Sequence, residues 1–147
     1  MIKQGQVEGG WELVSWEIHY DESKVAYPFG TDPKGILVYT SDGFMSAQLS
    51  VSSRPSLQGQ SIRKLTDAQR QSLLEGFFAY CGAYTVIENS IVHHVSQALN
   101  PDFIGTDQVR RAELNDNTLV LSGRETDASG QARDHILKWR RAKRSKT

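Results

Sequence analysis

The stretch GILVYTSDGFMSAQL, residues 35–49, contains two segments in which apolar side chains alternate, separated by a turn. Residues 34–40 and 43–51 each place their larger apolar side chains at every second position, which is the period of a half-buried β-strand. The pair Asp42-Gly43 lies between them, and an Asp-Gly pair tolerates the positive φ that a tight hairpin turn requires. The sequence here therefore predicts an antiparallel β-hairpin.

Similar short segments follow one another along the chain, and turn residues separate them. They cover residues 10–20, 24–29, 34–40, 43–51, 81–88, 91–99, 106–114, 118–125 and 132–141. Many short strands with turn signals between them are typical of an all-β sandwich or barrel. We therefore predict an all-β fold.

Residues 66–80 have a different period. Their apolar side chains recur with the spacing of an amphipathic helix at Leu73, Leu74, Phe77, Phe78 and Cys81. Thr66 and Gln69 match the capping box that begins a helix. We predict one α-helix at about 66–80, which either lies across an open barrel end as a lid or packs on one face of the sheet.

Composition restricts the classes of function. Seventeen basic and seventeen acidic residues cancel in a chain of 147 residues, so the broad positive field of a nucleic-acid-binding protein is missing. The sequence has no apolar run long enough to span a bilayer, and the N-terminus has no apolar signal segment. A lone cysteine, Cys81, excludes an intrachain disulfide and a cysteine-cluster metal site. We expect one cytosolic domain over 1–147, without nucleic-acid or membrane partners and compatible with a homodimer, whose residues 143–147 form a basic tail.

Several blocks of the chain resemble the small microbial lipocalin-like domain family, whose members are lipocalin/calycin-type β-barrels. Gly9-Gly10-Trp11 is similar to the Gly-x-Trp signature of lipocalins, and residues 35–49 resemble the small microbial family more closely. The other matching blocks are residues 27–30, 32–35, 93–95, 100–101 and 108–111. The resemblance covers about residues 8–142 and implies a single antiparallel barrel of about eight to ten strands. The signal peptide and disulfide of secreted lipocalins are missing, so we do not expect their extracellular transport role.

The same resemblance implies roles for two residues at the base of the barrel. The ring of Trp11 closes the base, and Arg141, two residues after Trp139, packs across that ring. A guanidinium group stacked on an indole contributes about 0.5–2 kcal/mol. We expect both residues to be structural.

Alternation along each predicted strand assigns side chains to the inside or outside of the barrel. It places His93 and Arg110 inside, and His94 and Arg111 outside. The strand at 81–88 is ambiguous, since both of its faces are apolar. The inward-facing residues that we predict to contact a ligand are Tyr39, Met45, Tyr84, His93, Arg110 and Trp139.

An apolar wall with a few hydrogen-bonding groups is typical of a small-molecule pocket. We expect the chain to bind a small hydrophobic molecule whose polar or anionic group contacts Arg110 and His93. A second hypothesis is an isomerase- or cyclase-type enzyme that acts on a hydrophobic carbonyl compound, with His93 as the candidate catalytic base. A third is a structural module with a filled barrel.

Metal ions and cofactors find no support in the sequence. His93 and His94 are adjacent in a strand and face opposite sides, so they cannot bind one ion together. His19 and His135 lie in other segments without the spacing of a zinc site. The glycines form no phosphate-binding loop. We therefore expect neither a metal nor a cofactor.

Overall fold

Strand pairing closes the sheet of this protein into a barrel. The computed structural model describes residues 1–21 and 23–143. The strands of this part of the chain are β1 (Gly9–His19), β2 (Val25–Ala26), β3 (Lys34–Tyr39), β4 (Phe44–Ser50), β5 (Phe77–Ile87), β6 (Ser90–Ala98), β7 (Asp107–Asn115), β8 (Thr118–Thr126) and β9 (Ala132–Arg141). The α-helices of the same part are α1 (Gln4–Val7) and α2 (Asp67–Glu75), and short 3-10 turns lie at Ile62–Lys64 and Pro101–Phe103.

Each strand from β3 to β9 pairs antiparallel with its neighbour in sequence, and β1 pairs with both β3 and β9. β1 contacts β3 through its first four residues and β9 through most of its length, so it joins the two ends of the sheet. The result is a closed barrel of eight strands, with β2 added beside β1. The predicted antiparallel all-β barrel is confirmed.

Side chains alternate along the strands, and the apolar side chains that point inward fill the barrel. The inward residues of β3 and β4, among them Leu37 and Leu49, are buried, and so is His93 on β6. The ambiguous face of β5 is resolved, because Tyr80 and Tyr84 are buried while Ile87 on the other face is exposed. The interior is therefore built from every second residue of each strand.

The inward face of β5 includes Gly82, which stands beside a bulge in the pairing with β6. A Cβ atom at Gly82 would lie 1.9 Å from the backbone oxygen of His94. Only glycine allows the two backbones to approach this closely. Tyr84 and His93 face each other across the two strands, between this bulge and the hairpin turn that joins the strands.

The predicted helix is present but shorter than 66–80. Thr66 caps its N-terminus through the predicted capping box with Gln69, whereas the helix ends at Glu75 with Gly76 as its C-cap. Residues 77–80 belong to β5 and pair with residues 47–50 of β4. No residue of α2 is buried, and the side chain of Leu74 is 60% exposed. The prediction of a helix over 66–80 is therefore wrong beyond Glu75, because Phe77, Phe78 and Cys81 belong to a strand.

One end of the barrel is closed by Trp11 and Arg141. The ring of Trp11 is fully buried, and its Nε1 donates a 2.9 Å hydrogen bond to the carbonyl oxygen of Val7 at the end of α1. The guanidinium carbon of Arg141 lies 3.9 Å from the ring centroid. Its nitrogens donate to the carbonyl oxygens of Glu8, at 2.6 Å, and Gln6, at 2.8 Å. The arginine thus ties the N-terminal segment across the base.

The predictions of a basic tail and of no membrane-spanning segment concern features other than the barrel. Residues 144–147 of the predicted basic tail lie outside the described residues. Within the described ranges, no helix has both the length and the apolar character needed to cross a membrane.

Candidate ligand-binding cavity

A cavity of about 320 Å³ lies inside the barrel. Its apolar wall consists of Trp16, Leu37, Ala47, Leu49, Phe78, Phe103, Leu121, Gly123, Leu137 and Trp139. Its polar groups come from Tyr80, His93, Asn100, Gln108, Arg110, Arg124, Glu125, Arg133 and His135. A volume of this size is at the lower end of the range of small-molecule sites, which is about 300–1,000 Å³.

His93 forms part of the inner wall and is held between two tyrosines. Its Nε2 lies 2.6 Å from Tyr39 Oη, and its Nδ1 lies 2.7 Å from Tyr80 Oη. The three residues come from β3, β5 and β6, so the hydrogen bonds link side chains from three strands. Both ring nitrogens of His93 are therefore occupied by protein groups.

Burial determines the charge state of these three side chains. Desolvation lowers the pKa of His93 to about 3, and the charge of Arg110 acts in the same direction. Burial raises the pKa of Tyr39 well above its usual value, and it also raises the pKa of Tyr80 although the Arg110 charge opposes that rise. All three side chains are neutral at pH 7.

Arg110 supplies the cation of the cavity. Its Nη2 donates to Gln108 Oε1 and its Nη1 to the Val109 carbonyl oxygen, both at 3.3 Å. The guanidinium group of Arg110 packs against β8 at Gly123. A Cβ atom on Gly123 would lie 2.5 Å from Arg110 Nη1. No carboxylate among the described residues forms an ion pair with Arg110. Its charge is therefore available to a ligand.

The other cations near the cavity are paired. Arg124 binds both carboxylate oxygens of Asp134, at 2.8 and 3.1 Å. Arg133 pairs with Glu125, and His135 Nε2 lies 3.0 Å from the same carboxylate without the alignment of a hydrogen bond. Burial alone would raise the pKa of Glu125, but the neighbouring His135 and Arg133 lower it. Arg110 therefore differs from the other arginines of the wall, because it has no carboxylate partner among the described residues.

Three of the six residues predicted to contact a ligand, His93, Arg110 and Trp139, line the cavity. The other three, Tyr39, Met45 and Tyr84, are buried in the core but do not line it. Tyr84 Oη donates to the Thr40 carbonyl oxygen at 2.7 Å, and its ring packs on Tyr39 at 4.7 Å. The structure thus places these three residues in a packed layer beside the cavity.

Sequence reasoning missed Tyr80 as a wall residue because it lies within the span predicted as helix. Strand parity extended back from Tyr84 through Gly82 would have placed Tyr80 on the same inward face. Trp16, Phe103 and His135 were also missed as wall residues. Trp139 was predicted, and its indole Nε1 is buried without a hydrogen-bond partner in the part of the chain that is described.

A second polar cluster lies on the outer surface of the barrel. Thr85 Oγ1 is 2.9 Å from His94 Nε2, and His94 Nδ1 is 2.8 Å from Asp107 Oδ1. The order of groups resembles a nucleophile, base and acid. None of the three lines the cavity, so the cluster has no link to the site inside the barrel. Within residues 1–21 and 23–143, no group of three or more histidine, cysteine or acidic residues is arranged to hold a metal ion.

Comparison with known proteins agrees with this architecture. The chain is similar to the 4'-hydroxy-3'-methoxypropiophenone carrier protein of Aspergillus oryzae, with 31% identity over 109 residues that cover 68% of this chain and 98% of the relative. The family described as "Lipocalin-like domain" matches residues 8–142, nearly the whole barrel and its base. This match confirms the resemblance read from the sequence. The chain belongs to the lipocalin-like domain family.

Proposed function

We propose that this chain binds a small hydrophobic molecule that carries a polar or anionic group, and that the ligand occupies the cavity inside the barrel. The observation that carries the proposal is Arg110, a cation in a largely apolar wall with no carboxylate partner among the described residues. Arg110 is half-buried, and a ligand oxygen would give it the charge-assisted hydrogen bond that no carboxylate of the described residues supplies. The apolar wall would hold the rest of the ligand.

The family and the relative support small-molecule binding. The relative is named as a carrier of a propiophenone, which is an aromatic ring with a ketone and further oxygen substituents. A ligand of that kind has an apolar body and an oxygen that accepts hydrogen bonds, as the wall and Arg110 require. Binding in the cytosol, as the composition predicts, remains part of the proposal.

His93 supports binding rather than turnover. A general base needs a free nitrogen lone pair and a pKa near the working pH. Both ring nitrogens of His93 are occupied by tyrosine hydroxyls, and its pKa is about 3. A cavity of about 320 Å³ also favours a binding protein over a filled barrel.

Substituting Arg110 tests the proposal. We expect Arg110→Met to raise the Kd for aromatic ketones and aromatic acids about tenfold or more, because charge-assisted hydrogen bonds contribute about 1.5–3 kcal/mol. Methionine keeps much of the length and the apolar stem, so the barrel should remain folded. The measurement is titration of tryptophan fluorescence, since Trp16 and Trp139 line the cavity.

Arg111→Met is the matched control, because Arg111 lies on the outer face of the same strand and is exposed. Its affinity should equal that of the unmodified protein. Equal losses in the two variants would place the ligand away from Arg110. Absence of saturable quenching by every ketone, aromatic acid and fatty acid tested would contradict ligand binding in this cavity.

Gly123→Ala tests the position of the arginine while keeping its charge. The added methyl group would lie 2.5 Å from Arg110 Nη1, so the guanidinium must move. We expect a loss of affinity of about threefold, smaller than that of Arg110→Met, because a displaced charge still attracts the ligand oxygen over a longer distance. Unchanged affinity in the same titration would show that the guanidinium position does not matter.

A further inference from the structure

The hydrogen bonds around His93 determine which of its two tyrosine partners keeps a hydroxyl hydrogen that is not bonded to the ring. A neutral imidazole has one N–H donor and one nitrogen acceptor. Since Tyr39 is at Nε2 and Tyr80 is at Nδ1, one tyrosine must donate to the ring and the other must accept from it. Two arrangements are possible, and they differ in which hydroxyl keeps its hydrogen free.

The position of each hydroxyl relative to the cavity distinguishes the two arrangements. Tyr39 is 1% exposed, and its hydroxyl has no hydrogen-bond partner other than His93 in the described chain. If Tyr39 accepted from Nε2–H, its own hydrogen would be buried without an acceptor, which would disfavour that arrangement about tenfold or more. If Tyr39 donates to Nε2, no such hydrogen remains. His93 then has its proton on Nδ1 and donates it to Tyr80 Oη.

Tyr80 differs from Tyr39 because it lines the cavity. As an acceptor from Nδ1–H, it keeps its own O–H hydrogen, which no described residue accepts. Arg110 lines the same cavity, and its charge opposes the rise that burial causes in the pKa of Tyr80. The hydroxyl of Tyr80 and the guanidinium of Arg110 are therefore two donors in one region of the wall.

From this arrangement, which rests on the proposed function, we infer that Tyr80 and Arg110 together form a donor site for a carbonyl-type oxygen of the ligand. Such an oxygen, in a ketone or a carboxylate, accepts hydrogen bonds and brings no hydrogen of its own. An alcohol would bring a hydroxyl hydrogen that Arg110 cannot accept and that Tyr80 Oη could accept only in addition to the His93 N–H. A ligand ammonium group would be repelled by Arg110. The site thus selects ligands by the chemistry of one oxygen.

A series of ligands with one phenyl ring and a three-carbon chain tests the selection. The series comprises propiophenone, 3-phenylpropanoate, 1-phenylpropan-1-ol and propylbenzene, titrated by tryptophan fluorescence. We expect the unmodified protein to bind the ketone about tenfold more tightly than the alcohol or the hydrocarbon, because an unmet buried hydrogen bond has an effect of this size. Arg110→Met should weaken the carboxylate more than the ketone, which distinguishes an anionic ligand from a neutral one.

Tyr80→Phe removes the proposed donor and keeps the ring. We expect it to weaken the ketone and the carboxylate about tenfold and to leave propylbenzene unchanged, which also shows that the cavity is intact. Tyr27→Phe makes the same chemical change at an exposed tyrosine outside the cavity and should change nothing. If no compound binds, the proposed function fails. If the alcohol or hydrocarbon binds as tightly as the ketone, or Tyr80→Phe has no effect, ligand binding stands and the donor site is rejected.

The protonation of His93 gives a test that needs no ligand. The ¹⁵N NMR shifts of a neutral histidine ring distinguish a proton on Nδ1 from a proton on Nε2. We expect His93 of the free protein to carry its proton on Nδ1. A proton on Nε2 would mean that Tyr80 donates to the ring and has no hydrogen to spare, and it would overturn the inference.

Discussion

Replacing Trp11 by alanine is expected to lower the free energy of unfolding by about 3–5 kcal/mol. The ring is fully buried at the base of the barrel, where its Nε1 binds the Val7 carbonyl oxygen and its face contacts Arg141. Alanine would leave a cavity that the closed sheet cannot fill by moving, because each strand of the barrel is paired on both sides. Equilibrium unfolding in urea measures the change.

Trp11→Phe is the matched control for that experiment. Phenylalanine keeps an aromatic face for Arg141 and fills much of the space, so a smaller loss than that of alanine is expected. A loss below about 1 kcal/mol for Trp11→Ala would be in the range of surface substitutions and would contradict the burial of the ring at the base.

The strands of this protein could be predicted because alternation of side chains is a signal that each strand carries by itself. Residues 34–40 and 43–51 were predicted to flank a hairpin, and β3 and β4 pair across that turn. A shift of one residue would move every apolar side chain to the other face, so the pattern also fixes which residues point inward. His93 and Trp139 were assigned to the interior on this basis, and both are buried.

The end of the helix could not be fixed in the same way. The apolar residues Phe77 and Phe78 continue a helical spacing from Leu73 and Leu74, and a short apolar run fits helix and strand alike. Pairing with β4 decides between them, and pairing depends on residues about 30 positions earlier in the chain. Gly76 was the local signal for the helix end, since glycine often follows the last helical residue.

The residues that line the cavity could be predicted from the sequence only in part. Parity shows that a side chain points into the barrel but not at which height along the axis it lies. Tyr39, Met45 and Tyr84 all point inward and are buried, yet they do not line the cavity. The height depends on the stagger of all eight strands and on how large side chains fill each layer. Neither quantity can be read from one strand.

Acidification from pH 7 to pH 4.5 is expected to destabilise the protein by about 2–3 kcal/mol through His93 alone. The pKa of His93 is about 3 in the folded protein, against 6.5 for the unperturbed side chain that represents the unfolded chain. The unfolded state therefore binds a proton as the pH falls below 6.5, while the folded state does not. The stability that the neutral ring contributes is present above pH 6.5 and is lost progressively as the pH falls toward 3.

His93→Gln isolates this effect. Glutamine does not titrate, and its amide offers both a donor and an acceptor near the two tyrosines. Urea unfolding of both proteins from pH 7 to pH 4.5 should give a steeper loss for the unmodified protein, because the carboxylates contribute equally to both curves and cancel in the difference. An ¹⁵N NMR titration provides a check within the folded state, where the His93 ring should remain neutral down to about pH 4. Parallel stability curves, or a ring that takes up a proton near pH 6.5 in the folded protein, would show that His93 is not held neutral between Tyr39 and Tyr80.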